Sequence, residues 1–224
     1  MRYKHFIFDL DGTLSNPSAG ICNGFRYAFN QLDISLAPDF DFKPFIGLPL
    51  QQSLKANFFR DDERKLWEAV NLFREYYSQK GLFENYLYDG VIEMLEKLKS
   101  ENATMYVATN KPQPFAIEIL RHFKIQQYFK TIKGINPEMK EANKEELVKE
   151  ILLQNKIKNT TEVVLIGDTR YDILCGRFFN IDTVSVGYGF GTEADLLYHK
   201  PTRHVYSVPE LQEYLTTVQS HVAL

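Results

Sequence analysis

The sequence predicts an α/β fold, a doubly wound parallel sheet carrying an inserted all-helical domain. Three observations predict it: a short apolar strand opens the chain and ends at Asp9, the next stretch has only helical periodicity, and strands and helices alternate from about residue 86 onward. The 224 residues, 44% hydrophobic and 25% charged, are ordinary globular composition, enough for one substantial core with a small domain appended.

Taken in order, Tyr3 to Leu10 is predicted as a buried strand, because Phe6-Ile7-Phe8 is a continuous β-favouring apolar run stopped by the turn former Gly12. From Ser18 to about Gln79 the pattern is helical. Ile21, Phe25, Ala28, Phe29 and Leu32 share one helix face, and Leu66, Val70, Phe73 and Tyr77 repeat the spacing. Phe45-Ile46-Gly47-Leu48-Pro49 breaks the two patterns as a loop. A helix then spans about Gly90 to Ser100, a strand Ala103 to Thr109, and a helix follows Pro112. A short strand near Thr131 to Ile135, a helix from Asn143 to Gln154 and the strand Val163-Val164-Leu165-Ile166 come next. Helix 170–179, strand Thr183 to Val186 and helix Val208 to Val218 complete the alternation. Such alternation favours a parallel sheet covered on both faces. The predicted domains are 1–15 with 86–224 as the α/β core, and 16–85 as the helical insertion, hinged near Ser15-Asn16-Pro17 and Asn85-Tyr86-Leu87.

Charge excludes several function classes. The formal net charge is −3 with Lys and Arg dispersed, so there is no footprint for a nucleic-acid polymer or an anionic membrane. The opening Met1-Arg2-Tyr3-Lys4-His5 runs too quickly into Asp9 to be a secretory signal, and no apolar run reaches the ~18 residues needed to cross a bilayer. A cytoplasmic protein is expected. Cys22 and Cys175 are far apart and lack metal-ligand spacing, which fits reduced buried thiols.

Three strand ends carry polar residues: Asp9-Leu10-Asp11-Gly12-Thr13, Thr109-Asn110, and Gly167-Asp168-Thr169-Arg170-Tyr171-Asp172. In open parallel sheets ligands bind beyond the carboxyl ends of strands, where the strand order reverses, so the three would converge on one crevice. An Asp-x-Asp-Gly-Thr run arises by chance in about one chain in a thousand of this length, which makes the joint pattern hard to read as helix caps and turns.

With Asp9/Asp11, Thr109, a helix-borne lysine and Asp168/Asp172 in this order, the whole chain resembles the haloacid dehalogenase (HAD) superfamily. Phe8-Asp9-Leu10-Asp11-Gly12-Thr13-Leu14, Phe45-Ile46-Gly47 and Ala108-Thr109-Asn110-Lys111-Pro112 are similar to its phosphoglycolate phosphatase and 5′-nucleotidase-like branch. The resemblance implies a Rossmann-like core with a helical cap, and a Mg²⁺-dependent phosphatase acting on a small phosphate monoester, phosphoglycolate-like or a nucleoside monophosphate.

It further implies roles. Asp9 is the nucleophile that forms an aspartyl-phosphate, which splits one difficult hydrolysis into two displacements. Asp11 is the acid and base. Asp9, Asp168 and the backbone carbonyl of Asp11 are the metal ligands, hard oxygens suited to Mg²⁺. Thr109 and the Asn110 backbone hold phosphate oxygens. Lys144, with Lys140 in reserve, balances the negative charge of Asp9 and the phosphate, and Asp172 anchors the lysine or a metal-bound water. Asp172 could instead be a first-turn helix aspartate, and Lys111 and Arg170, near the site in sequence, could equally be solvated surface charges. Most aromatics of the insertion, among them Phe25, Tyr27, Phe29, Trp67, Tyr76 and Tyr77, read as its core, with Phe45, Ile46 and Gly47 expected to meet substrate. A β-phosphoglucomutase-like mutase is the enzymatic rival, and it lacks its expected cap histidine, since none follows His5 before His122. A non-catalytic regulatory protein should have lost Asp9, Asp11 or Asp168, and all three are present. A monomer or homodimer is expected.

Overall fold

Strand β1 (His5–Phe8) forms where Phe6, Ile7 and Phe8 can be buried on both faces of a sheet, and each is fully inaccessible to solvent. In the computed structural model, which describes residues 2–37, 40–46, 50–136 and 143–217, the chain divides into two compact units. The first comprises Met1–Ser15 with Leu87–Leu224, and the second Asn16–Tyr86. Two short paired strands, β2 (Ser15–Asn16) and β3 (Tyr86–Leu87), mark where the chain leaves and re-enters the first unit.

The second unit holds helices α1 (Ser18–Gln31), α2 (Leu50–Asn57) and α3 (Glu63–Tyr76), with a 3₁₀ turn at Lys43–Phe45 between α1 and α2. Asp62 caps α3 by accepting a hydrogen bond from the Lys65 N–H at 2.9 Å. The predicted faces hold: Phe25, Ala28 and Phe29 of α1 and Leu66, Val70 and Phe73 of α3 are buried. They pack as an aromatic cluster in which Phe25 stacks on Phe42 with centroids 5.0 Å apart and meets Phe73 at 4.9 Å. Of the aromatics named above, Tyr27 and Tyr76 are only half-buried. Trp67 is not core but 41% exposed, because its neighbour Leu66 takes the inward position.

The first unit continues with α4 (Val91–Ser100), β4 (Thr104–Pro112), α5 (Gln113–His122), β5 (Phe129–Ile135), α6 (Lys144–Gln154), β6 (Val163–Gly167), α7 (Arg170–Phe178), β7 (Asp182–Val186), α8 (Glu193–Tyr198), β8 (Arg203–Val205) and α9 (Val208–Thr216). Six strands form one parallel sheet in the order β5-β4-β1-β6-β7-β8. Side chains alternate between its faces. Ile7, Tyr106, Ala108 and Leu165 meet Val148 and Ile151 of α6 and Cys175 of α7 on one face, while Phe6, Phe8, Met105 and Val164 are buried on the other. This is the doubly wound, Rossmann-like sheet that the alternation predicted.

Boundaries differ from the expectation in two informative places. β1 is shorter than Tyr3 to Leu10, which leaves Asp9 and Leu10 beyond the last pairing of Phe8. β4 runs past Thr109 to Pro112, and its pairing with β5 shifts register between Thr109 and Pro112. The edge strand β8 and helix α8 were not anticipated.

Candidate active site

In the observed strand order the chain builds outward from β1 through β4 to β5, then crosses back to place β6 on the other side of β1. The switch point therefore lies at the carboxyl ends of β1, β4 and β6, the place where such sheets form a crevice. Asp9 directly follows β1, and its N–H donates to the Ile166 carbonyl at 2.8 Å, which ties it to β6. The chain then folds back on itself. The N–H groups of Thr13, Leu14 and Ser15 all donate to the Leu10 carbonyl, and Gly12 sits at φ +83°, a conformation that glycine adopts without a steric penalty. A Cβ on Gly12 would stand 2.0 Å from Asp168 Oδ2, so this glycine also lets the turn approach that carboxylate.

Lys144 organises the charges. Asn143 caps α6 by accepting from the Glu146 N–H at 2.9 Å, which makes Lys144 the first residue of the helix. Its ammonium, with the side chain only 1% exposed, lies 2.7 Å from Asp9 Oδ2 and also pairs with Asp172 Oδ1. The other Asp172 oxygen accepts from Thr169 N–H at 3.1 Å and Thr169 Oγ1 at 2.8 Å, closing a capping box at the start of α7. Burial alone would pull the Lys144 pKa down, yet Asp172 and Asp9 outweigh it and carry it above the ordinary lysine value. Asp168, completely buried, accepts from the Phe190 N–H at 2.8 Å and from Thr13 Oγ1 at 3.4 Å. Burial first, then the neighbouring carboxylates of Asp9 and Asp172, push the Asp168 pKa well above the usual carboxylate range.

This donor set fits a divalent cation. One oxygen each from Asp9, Asp168 and Asp172 falls within 4.8 Å of the others, and all three residues are buried. The carboxylates of Asp9, Asp11, Asp168 and Asp172 face the ammonium groups of Lys111 and Lys144, which leaves a formal excess of two negative charges. A hard dication would neutralise that excess and relieve the carboxylate repulsion that adds to burial in raising the Asp168 pKa.

A family model, the haloacid dehalogenase-like hydrolases, matches residues 6–186. The chain belongs to the haloacid dehalogenase-like hydrolases. It is 38% identical over 215 residues to a 5′-nucleotidase of Pseudomonas aeruginosa, with 96% of both chains covered. It is 34% identical over 213 residues to the tyrosine-protein kinase PtkA of Mycobacterium tuberculosis, covering 93% of this chain and 71% of that one. A solved haloacid dehalogenase-like hydrolase from Streptococcus pneumoniae superposes with a TM-score of 0.85 at 31% identity, over 96% of this chain and 99% of that one. The chain is a HAD-type phosphatase, a phosphoric monoester hydrolase.

Within this HAD core, Lys144 pairs with Asp9 and Asp172, Asp168 lies close to both of those carboxylates, and Asp11 pairs with Lys111, whose N–H donates to Thr109 Oγ1 at 3.3 Å in β4. Thr109 is buried, and Asn110 Oδ1 is buried with no hydrogen-bond partner among the described residues. Arg170 is exposed, as expected for a solvated charge. For Lys111 the surface reading fails. It is buried rather than solvated, and its Nζ lies 2.5 Å from Asp11 Oδ2. In the second unit, Phe45 packs against Phe25 at 5.9 Å and Phe58 at 5.8 Å, and Ile46 is buried. Gly47 and Lys140 lie outside the described residues.

Two positioning groups were missed besides Lys111. Thr13, which donates to Asp168 Oδ1, carries no signal in the sequence beyond its place in the Asp-x-Asp-Gly-Thr run. The loop Gly187-Tyr188-Gly189-Phe190-Gly191 presents the Phe190 N–H to Asp168, and a Cβ on Gly189 would lie 2.3 Å from the Asp168 Cβ. Three glycines in five residues directly after β7 were the available signal.

Proposed function

We propose that the chain hydrolyses a small phosphate monoester through an aspartyl-phosphate on Asp9, with Mg²⁺ held by Asp9, Asp168 and the Asp11 backbone carbonyl. The observation that carries this reading is Lys144 bridging Asp9 and Asp172 inside a buried carboxylate cluster. Lys144 keeps Asp9 in place and offsets the charge that an incoming phosphate dianion would meet. Thr109 and the Asn110 N–H hold phosphate oxygens so that Asp9 attacks in line with the departing alcohol. Asp11 gives the leaving oxygen a proton and later takes one from the water that opens the acyl-phosphate. Asp172, already held by Thr169, orients Lys144. When bound, Mg²⁺ supplies charge neutralisation for the approach of carboxylate and phosphate. The 5′-nucleotidase relative and the sequence pattern support phosphoglycolate-like esters and nucleoside monophosphates as the substrate class.

The direct test is phosphate release from a panel of such monoesters with Mg²⁺ or with EDTA, comparing wild type with Asp9→Asn, which keeps shape and removes the nucleophile. Turnover only by wild type with Mg²⁺ is expected; equal turnover by Asp9→Asn would overturn the covalent route. The PtkA relative favours a second reading, in which a tyrosyl hydroxyl replaces water and takes the phosphoryl group from Asp9. Phosphotyrosine on an added protein acceptor, in place of free phosphate, would support it.

A further inference from the structure

The buried pair of Lys111 and Asp11 joins residues 100 positions apart in sequence. Lys111 lies two residues beyond Thr109 on β4, and its N–H donates to Thr109 Oγ1 at 3.3 Å. Its side chain is 5% exposed, against 16% for that of Asp11, so the contact is shielded from competing water. The two oxygens of Asp11 are thereby made unequal. Oδ2 is engaged by the ammonium at 2.5 Å, while Oδ1 is buried with no hydrogen-bond partner among the described residues. A buried acceptor without a partner is costly unless something arrives to use it.

We propose that Lys111 is a positioning residue for catalysis: by holding Oδ2 of Asp11 it turns Oδ1 toward the reacting atoms, so that Oδ1 is the oxygen that exchanges a proton with the leaving group. This rests on the reading of Asp11 as the acid. In the first step the bond from Asp9 oxygen to phosphorus forms, the bond from phosphorus to the alcohol oxygen breaks, its electron pair stays on that oxygen, and the proton from Asp11 Oδ1 neutralises it. A leaving group that is stable as an anion needs no such proton, and for it the orientation of Asp11 is irrelevant.

That difference is the test. Single-turnover phosphoryl transfer to excess holoenzyme with Mg²⁺ is measured for 4-nitrophenyl phosphate and for 2-phosphoglycolate, in wild type, Lys111→Met and Lys111→Arg. Lys111→Met should slow transfer from 2-phosphoglycolate by about 100-fold, the usual scale for one positioned acid, and change transfer from 4-nitrophenyl phosphate by less than about 3-fold. Lys111→Arg should recover much of the loss. In an Asp11→Asn background Lys111→Met should add less than about 3-fold, since the group it positions is gone. Equal losses on both esters, or additive losses in the double variant, mean a merely structural lysine and overturn the inference. Thermal unfolding of each variant separates misfolding from these outcomes, and Lys111→Gln replaces Lys111→Met if the latter does not fold. Transfer by wild type from neither ester overturns the site reading and this inference together; transfer by wild type with no selective loss overturns the inference alone.

Discussion

The residues of the site are in tension with the fold that holds them. Asp168 is buried beside two other carboxylates, and its raised pKa means that its ionisation is disfavoured in the folded state. For a carboxylate raised above its unfolded value, the folded protein binds more protons, so this group's contribution to stability is greatest below the ordinary carboxylate range and is lost as pH rises through the folded pKa. Asp168→Asn should therefore raise the unfolding temperature in EDTA at pH 7, by an amount equivalent to about 1–3 kcal/mol, while Mg²⁺ should stabilise wild type and leave the variant unmoved. Calorimetric scans with EDTA and with Mg²⁺ check both halves; a variant that is destabilised in EDTA and still responds to Mg²⁺ refutes the placement of the cation. Asp9 and Asp168 were legible because each directly follows an apolar strand, a local signal. Lys111 was not, because its burial depends on Asp11, which the sheet brings to it from across β1 and β4. A lysine followed by proline in a polar run gives no local sign of that.

At the scale of elements, what positions the site is the start of each helix as much as the end of each strand. Lys144 faces Asp9 because α6 begins at it, and α6 begins there because Asn143 caps it. Asn143→Ala should cost about 1 kcal/mol, or about 2–4 °C in unfolding temperature, and lower kcat more than the stability loss alone explains, since the first turn carrying Lys144 frays. Steady-state kinetics well below the transition temperature measure this; unchanged kcat would mean that the ion pairs hold Lys144 without the cap. The same signal could have revealed α8, where Thr192 accepts from the Asp195 N–H at 3.4 Å in a Thr-x-x-Asp start. Its six residues are too few for a helical period to show. β8 was illegible for a similar reason. Arg203–Val205 is three residues with one buried apolar side chain, and pairing with β7 supplies what the sequence does not announce.

At the scale of the whole molecule, the doubly wound sheet was legible because parallel strands buried on both faces read as apolar runs, and Phe6-Ile7-Phe8 and Val163-Val164-Leu165-Ile166 can be little else. The helical period of α1 and α3 marked the insertion in the same way. The side chains joined by the ion pairs, Asp9, Asp11, Lys111, Lys144 and Asp172, all belong to the first unit, and so do Thr109 and Asp168. The first unit is also closed on itself where the insertion leaves it: the Tyr88 N–H donates to the Leu14 carbonyl at 3.2 Å, so the two cut ends are already adjacent. A chain in which residues 16–86 are replaced by a short Gly/Ser linker should therefore fold, because a short loop between adjacent ends costs little closure entropy. It should unfold cooperatively and gain stability from Mg²⁺ as the full chain does, since the proposed ligands remain. Far-UV circular dichroism and thermal scans with and without Mg²⁺ decide the matter. Loss of the cooperative transition would mean that the sheet depends on the insertion for its stability. A cooperative core that ignores Mg²⁺ would mean that the acidic cluster needs the insertion to take its binding geometry.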